Sequence, residues 1–426
     1  MNLKYVSVFV AAASTLAVPL VFAQTQTGAQ PASGPAYQLS GTSISGSNGS
    51  SDIMLTAPTG DAAPYKTESG IYLYPTVFVG MGYNDNLQSS ATNQIQSNLI
   101  TVAPKLIAEL KRKGDRYTAL ASVNNTNYTN SSPDNATNSE FKVAGDNYFT
   151  SRARAAWSLG QVRSTDPRGS NNRPISSEPD RWTSNNAQGL IVYGAPEAQG
   201  RIEVDLGSQN KTYDNNRVNT AINDVSTNSF GSRLFYRIGT RSLVLGEYRN
   251  AKADYGSALS KEDNTDQRYY VGLTWDATAA TTGIVKLGKM TKDFGAAGRD
   301  GFNGESWEAT IRWSPLTYSV VDFESKRSIA DAAGFGNYQL TSGTNVTWQH
   351  RWNQTLSTRA GVGLLKTDFG GTSRTDNATN FGLAVDYSLL RWLKIGLDWS
   401  LTDNSSSVPT SAFKRNITMM TLNASL

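Results

Sequence analysis

The 426-residue chain contains no cysteine, which excludes disulfide staples, thiol catalysis and cysteine-based zinc sites. Histidine occurs once, at His350, so a metal centre would have to rely almost wholly on carboxylates. Charge is sparse: 17% of residues are Asp, Glu, Lys or Arg, against about 25% in ordinary soluble domains. Basic and acidic residues nearly balance, 39 to 35, so the pI near 9.0 reflects a small surplus rather than the clustered basic stripe of a nucleic-acid binder. There is no phosphate loop or dinucleotide fingerprint, and the sequence calls for no cofactor. After residue 23 no stretch approaches the roughly 18 consecutive apolar residues of a spanning helix.

What is present is a large share of Gly, Ser, Thr, Asn and Gln, with 9 Trp, 19 Tyr and 14 Phe spread along the chain. Disordered chains are poor in aromatics, so these rings belong in a core or at an interface. Near the N-terminus, Lys4 is followed by an apolar run from Tyr5 to Phe22, and Val21-Phe22-Ala23 offers small residues at the cleavage position. This predicts a secretory signal at 1–23; Ser7, Ser14, Thr15 and Pro19 interrupt the run and disfavour the alternative, an uncleaved anchor helix. Residues 24–69 have too few large apolar side chains to build a core and read as a flexible periplasmic arm.

From residue 70 to 426 the pattern is alternation with period two, the signature of strands with one apolar and one polar face. Between Glu305 and Trp313, the residues Trp307, Ala309, Ile311 and Trp313 share one face, opposite Ser306, Glu308, Thr310 and Arg312. Phe381, Leu383, Val385 and Tyr387 repeat the pattern, as do Leu393, Ile395, Leu397 and Trp399. Short joins (Lys113-Gly114-Asp115, 195–199, Gly239-Thr240, Pro315-Leu316, Trp352-Asn353, Leu390-Arg391) take turns with long polar ones (84–97, 130–139, 214–228, 293–304, 328–336). Outer-membrane barrels have this rhythm, with short periplasmic turns, longer outer loops and an even strand number.

The expected fold is therefore an all-β transmembrane antiparallel up-and-down barrel in the bacterial outer membrane. Its expected strands are 70–84, 98–112, 116–128, 144–159, a weak 161–166, 186–195, 200–213, 228–239, 242–255, 267–277, 282–294, 305–314, 317–328, 337–352, 355–368, 378–390, 392–403 and 413–426. That makes about 18, or 16 if the weak segment drops out. The final strand alternates through Thr418, Met420, Leu422 and Ala424 to Leu426.

Alternation divides the candidate residues between two faces. The outward set contains Trp275, Trp307, Trp313, Trp348 and Trp399, with Trp392 beside a turn; interfacial girdles are the expected role, a sugar-stacking path the alternative. The inward set is mixed in sign: Arg201, Glu203, Asp205, Arg233, Arg237, Glu247, Arg249, Glu308, Arg312, Asp322, Glu324, Lys326, Arg359, Lys366, Asp386, Lys394 and Asp398. Such charges either hold a solvated wall together or orient a permeating solute. Carboxylate pairs such as Glu203 with Asp205, or Asp322 with Glu324, lie on one strand face, whereas glycosidase carboxylates flank a bound sugar. No catalytic role is expected of them, and a lone His350 near a tight join does not supply a serine-histidine arrangement.

The segment Pro75 to Leu87 is a strand running into an Asx-rich turn, with Gly82, Tyr83, Asn84, Asp85 and Asn86 at its end. It resembles the opening strand of the outer-membrane β-barrel porin family that includes EpsL-type proteins of exopolysaccharide operons. The stretches Asp166-Pro167-Arg168-Gly169-Ser170, Pro179-Asp180-Arg181-Trp182 and Val192 to Tyr213 look like that family's loop and following hairpin. Asp85 and Asn86 have an ordinary explanation as turn formers, through side-chain to backbone hydrogen bonds.

The resemblance implies a non-enzymatic, monomeric barrel in contact with outer-membrane lipid, serving an exopolysaccharide and periplasmic export components. The same strands suit a general or solute-specific diffusion porin, and a barrel that merely anchors the 24–69 arm for periplasmic partners is a third reading.

Overall fold

Segments whose side chains alternate between water and an apolar medium satisfy their backbone groups only by pairing with one another, and here the pairing runs full circle. The computed structural model describes residue 53 and residues 64–169, 176–276, 280–332 and 334–425; the expected signal and most of the 24–69 arm lie outside the described residues. Eighteen long strands occur among the described residues: β1 Ile71–Asn84, β2 Ser97–Arg112, β3 Asp115–Tyr128, β4 Ala136–Tyr148, β5 Ala153–Asp166, β6 Asp180–Tyr193, β7 Gly200–Tyr213, β8 Val225–Arg237, β9 Ser242–Tyr255, β10 Asn264–Trp275, β11 Thr281–Phe294, β12 Phe302–Leu316, β13 Ser319–Asp331, β14 Tyr338–Arg351, β15 Leu356–Phe369, β16 Thr375–Leu390, β17 Leu393–Ser406 and β18 Phe413–Ser425. Each pairs antiparallel with the next, and β18 returns to β1, from Ile417 opposite Asn84 to Ser425 opposite Thr76. The result is a closed 18-stranded antiparallel barrel. A two-residue strand, Tyr65–Lys66, adds to β1 opposite Leu73 and Tyr72.

The connections separate into two ends. Tight joins such as Lys113-Gly114, Thr317-Tyr318 and Arg391-Trp392 lie at the end where β1 starts and β18 stops. Lys113 and Gly114 both have positive φ, 52° and 97°, the paired left-handed conformation that matches strand twist in a two-residue hairpin. Residues 85–96, 129–135, 214–224 and 295–301 form longer connections at the opposite end, the outer side by the general rule for such barrels. Prolines mark two of the flaws in the ladder; a third, between Ser388 and Leu390, lies beside a tight turn. The β12–β13 register shifts between Trp313 and Leu316, around Pro315, and β2–β3 pairing lapses at Ala103-Pro104, because proline has no N–H to donate.

Several expected boundaries move, mostly for one reason. The segment expected at 144–159 straddles a turn at 149–152, and the real strands are Ala136–Tyr148 and Ala153–Asp166. Likewise β6 begins at Asp180 rather than 186, β16 at Thr375 rather than 378, and β17 runs to Ser406 rather than 403. Pro315-Leu316 lies inside β12, with the join at Thr317-Tyr318. The missed pieces lie chiefly at the outer ends of strands, where both faces are polar and alternation of hydrophobicity disappears.

That polar collar also explains the outward aromatics. Strands of 12 to 16 residues exceed the roughly 9–11 that cross a bilayer. Going outward, Phe381 is followed on the same face by Thr379 and Asn377, Phe230 by Asn228 and Ser226, and Trp399, after Leu401, by Asp403. Trp307 and Trp399 therefore stand near mid-strand, at the upper edge of the apolar band. Trp275, Trp313, Trp348 and Trp392 stand at its lower edge beside the tight turns, with Tyr193, Tyr236 and Trp352. Only the lower group stands near strand ends.

The Gly82 to Asn86 motif forms the seam where β1 meets β18. Asp85 accepts hydrogen bonds from the backbone N and Nδ2 of Asn416, at 2.7 and 2.8 Å. Asn86 is fully buried; its Nδ2 donates to the carbonyls of Ser90 and Lys414, both at 2.9 Å, and its Oδ1 accepts from the N–H of Ser90. A Cβ on Gly82 would collide with the Thr418 carbonyl and with Met419, while the Tyr83 hydroxyl donates to Gln96 at 2.7 Å. Beside the seam, Leu99, Ile417 and Met419 pack with Phe78 and Tyr128.

Replacing Asn86 by alanine orphans two carbonyls and an N–H, each worth about 1–3 kcal/mol when buried. The expected result is a barrel that unfolds at lower urea concentration in lipid vesicles, with its ladder weakened at the seam; an unchanged midpoint would contradict this role.

Candidate functional site: the inner wall

Parity fixes which side chains enter the barrel. On β7 the lipid-facing residues are Ile202 and Leu206, so Arg201, Glu203 and Asp205 point inward, and the same logic turns Arg233 and Arg237 of β8 and Glu247 and Arg249 of β9 to the inside. Because neighbouring strands are in register, these charges meet as a ladder. Glu203 is held by Arg201 and Arg233, each at 3.1 Å, and Arg233 continues to Asp205 at 3.1 Å and Glu247 at 3.7 Å. Glu247 pairs with Arg249 at 2.6 Å and Lys286 at 2.9 Å; Arg249 and Lys286 both reach Glu308. One connected set of ion pairs thus crosses six strands, β7 to β12, and Lys326 of β13 stands directly opposite Glu308.

Two further groups lie beyond it. Arg312 makes a two-pronged contact with Asp322 at 2.7 and 2.9 Å, with Glu324 on the same face opposite Thr310. On the far arc Arg359 reaches Asp386 at 3.1 Å and Asp398 at 3.7 Å, and Asp398 also accepts from Thr421. Lys394 lies on this inner face opposite Asn423. Between the two arcs, β14 offers only uncharged polar groups over its middle: Thr341, Asn345, Thr347 and Gln349.

Some of the expected set falls elsewhere. Lys366 points outward, paired with Asp368 at 3.2 Å and largely exposed; it is an odd number of residues from the inward Arg359 and so takes the opposite face. Arg237 spends its guanidinium on the Pro196 and Thr240 carbonyls at 2.6 and 2.8 Å, locking tight turns at the rim. Other inner pairs escaped the sequence reading: Glu109 with Arg116 and Lys111, Asp146 with Arg154, and Asp266 with Arg268. Asp146 and Arg154 lie astride the misplaced turn, and Asp266 precedes the expected start of its strand. The signal that would have found the last two is parity, extended outward from Leu273 to Asp266 and towards the tight-turn end from Leu159 to Arg154. Among the described residues no group of three or more His, Asp or Glu could hold a metal ion.

The outer mouth is braced by loop contacts. Arg168 forks onto Asp134 at 2.8 and 2.5 Å, with Ser131 donating to the same carboxylate. Burial pushes the Asp134 carboxyl up, but the hydrogen bonds from Arg168 and Ser131 outweigh it and leave the group below the usual range. Across the mouth, Arg299 donates to Glu262 at 2.7 Å and to the Asn337 carbonyl at 2.8 Å. Burial dominates at Glu262 and lifts its carboxyl to about 7, with Asp331 adding to the rise and Arg299 and Lys292 opposing it.

A closed barrel with an apolar band, two aromatic levels and a charged interior is an outer-membrane β-barrel of the porin type. Residues 68–426 match the family described as "Putative beta-barrel porin 2", and the chain belongs to that family. Among curated proteins none matches the sequence. Among solved structures the chain is similar to OccK2 (OpdF) of Pseudomonas aeruginosa in complex with glucuronate, with TM-score 0.49 and 9% identity over 85% of this chain and 100% of that one. It is similar to the FrpB iron transporter of Neisseria meningitidis, with TM-score 0.46 and 9% identity over 78% of this chain but only 62% of that one. A bacterial polysaccharide outer membrane secretin gives TM-score 0.37 and 8% identity, over 83% of this chain and 98% of the other.

Glu262 provides a pH test. A carboxyl raised from 4.5 to about 7 favours the folded loops most below pH 4.5, and that contribution is lost as pH rises towards 7. Thermal unfolding of wild type should therefore lose stability over this range relative to Glu262→Gln; parallel profiles would contradict the assignment.

Proposed function

We propose that this protein is a passive, non-enzymatic outer-membrane channel, monomeric, whose charged inner wall accommodates a glycan of an exopolysaccharide system. The observation that carries the channel reading is the ion-pair ladder from Arg201 to Glu308, facing the lumen across six strands. Barrels of 16–18 strands leave an aqueous channel, and opposed fixed charges create a lateral field that orients polar solutes. The glycan cargo rests on the resemblance of the Gly82 to Asn86 segment and the 166–213 stretch to exopolysaccharide-operon porins, and periplasmic export components would then be the partners.

The family's description as a porin favours a second reading, diffusion of small solutes. Single-channel current through the purified barrel in a planar bilayer, with host exopolysaccharide oligosaccharides added, separates the two. Block by the oligosaccharides is the expected result; unblocked current together with liposome swelling by small sugars and amino acids would leave the diffusion porin, and a silent barrel would overturn both.

A substitution tests the wall itself. Arg359→Gln leaves Asp386 and Asp398 without their shared cation, so the reversal potential in a salt gradient should move towards cation selectivity. An unchanged reversal potential would show that this arc does not line the conducting path.

A further inference from the structure

The inner wall carries several buried apolar pairs, Phe235 with Leu245 and Ile107 with Leu120 among them, and one apolar patch that touches a residue from before the barrel. Leu190 and Val192 of β6 point inward, with Ala156 of β5 directly opposite Leu190. Their cross-strand neighbours on the other side are Asp205 and Glu203, members of the ladder. Leu190 is 1% exposed and Val192 8%. What packs on them is Ile53, itself 4% exposed, from the part of the chain that precedes the barrel.

A second observation concerns the direction of the chain. β1 runs from the tight-turn end towards the long loops. The short strand Tyr65–Lys66 is antiparallel to it, and the turn that follows is fastened at the rim, with Thr67 N–H donating to the Ile71 carbonyl at 2.9 Å and Gly70 N–H to the Thr67 carbonyl at 3.0 Å. The chain therefore enters this strand at the level of Leu73, within the wall, and descends to the periplasmic rim. Ile53 lies twelve positions before Tyr65, an extended reach of roughly 40 Å, ample to span from β1 to β5 and β6.

We propose that the patch of Ala156, Leu190 and Val192 is a docking site inside the lumen, that its occupant is Ile53 of the same chain, and that the docked Ile53 narrows the path alongside Glu203 and Asp205. Ile53 then acts inward, as part of a constriction, rather than outward as a landing point for periplasmic partners.

The absence of native cysteine makes the test clean. The full chain carrying Ile53→Cys with Leu190→Cys is oxidised in the folded, membrane-inserted state, beside a control pair, Ser158→Cys with Gln188→Cys, whose positions face each other across β5 and β6. Single-channel current is then compared among wild type, the cross-linked protein and Ile53→Asp, which introduces a charge that the apolar patch rejects. The expected result is a disulfide between 53 and 190, low current in the cross-linked protein, and an increase in Ile53→Asp. Failure of the 53–190 pair to form while the control forms would overturn the docking. Equal currents in the cross-linked protein and Ile53→Asp would overturn the constriction. Because the disulfide is read without any transport assay, docking stands or falls independently of the channel function.

Discussion

Everything in this molecule depends on pairing every backbone N–H and C=O of a chain that has no water around its wall. In lipid an orphaned polar backbone group costs several kcal/mol, which leaves closed barrels as the solution open to strands. The closure is made at one seam, where β1 meets β18 and where Asp85 and Asn86 hold a segment more than 300 positions away in sequence. Glycine at 82 lets Met419 and the Thr418 backbone approach closely, and the adjacent Asx side chains replace ladder bonds just where the strands end. The departures from the ladder near Pro104 and Pro315 are the places where an N–H is missing.

Closure then dictates the inner wall. Once strands are in register, side chains two residues apart on neighbouring strands form rows, and charges of opposite sign placed in those rows neutralise each other. Glu203 and Glu308 each meet two cations and Glu247 meets three, so desolvation of the carboxylates is compensated without any of them standing alone. The uncharged β14 separates this ladder from the Arg359 group, giving the lumen two charged arcs with a neutral polar wall between. The apolar patch that receives Ile53 lies on the ladder's flank, opposite Asp205 and Glu203.

Much of this was legible in the sequence. Alternation in Trp307 to Trp313 and in Phe381 to Tyr387 gave the class of fold and the facing of most strands, and the alternation of short and long joins gave the topology. The errors have a common physical source: hydrophobic alternation reports contact with lipid and fades where strands rise above it. Thr137 and Ser139 on the outer face of β4 made a strand look like a loop and displaced the neighbouring turn onto Gly160. Pairing partners were less visible than facing, because register is a relation between strands; Glu308 meets Arg249 and Lys286, distant in sequence, and not its strand neighbour Arg312. Docking of Ile53 left no periodic signal, since a single side chain has no pattern.

The central claim is that one face of each strand lines water and the other lines lipid, and adjacent residues on β12 test it most directly. Thr310→Cys and Ile311→Cys, each the sole thiol in the barrel reconstituted in liposomes, are exposed to a membrane-impermeant thiol reagent. The account predicts labelling at 310 and protection at 311; protection at 310 with labelling at 311 would contradict it.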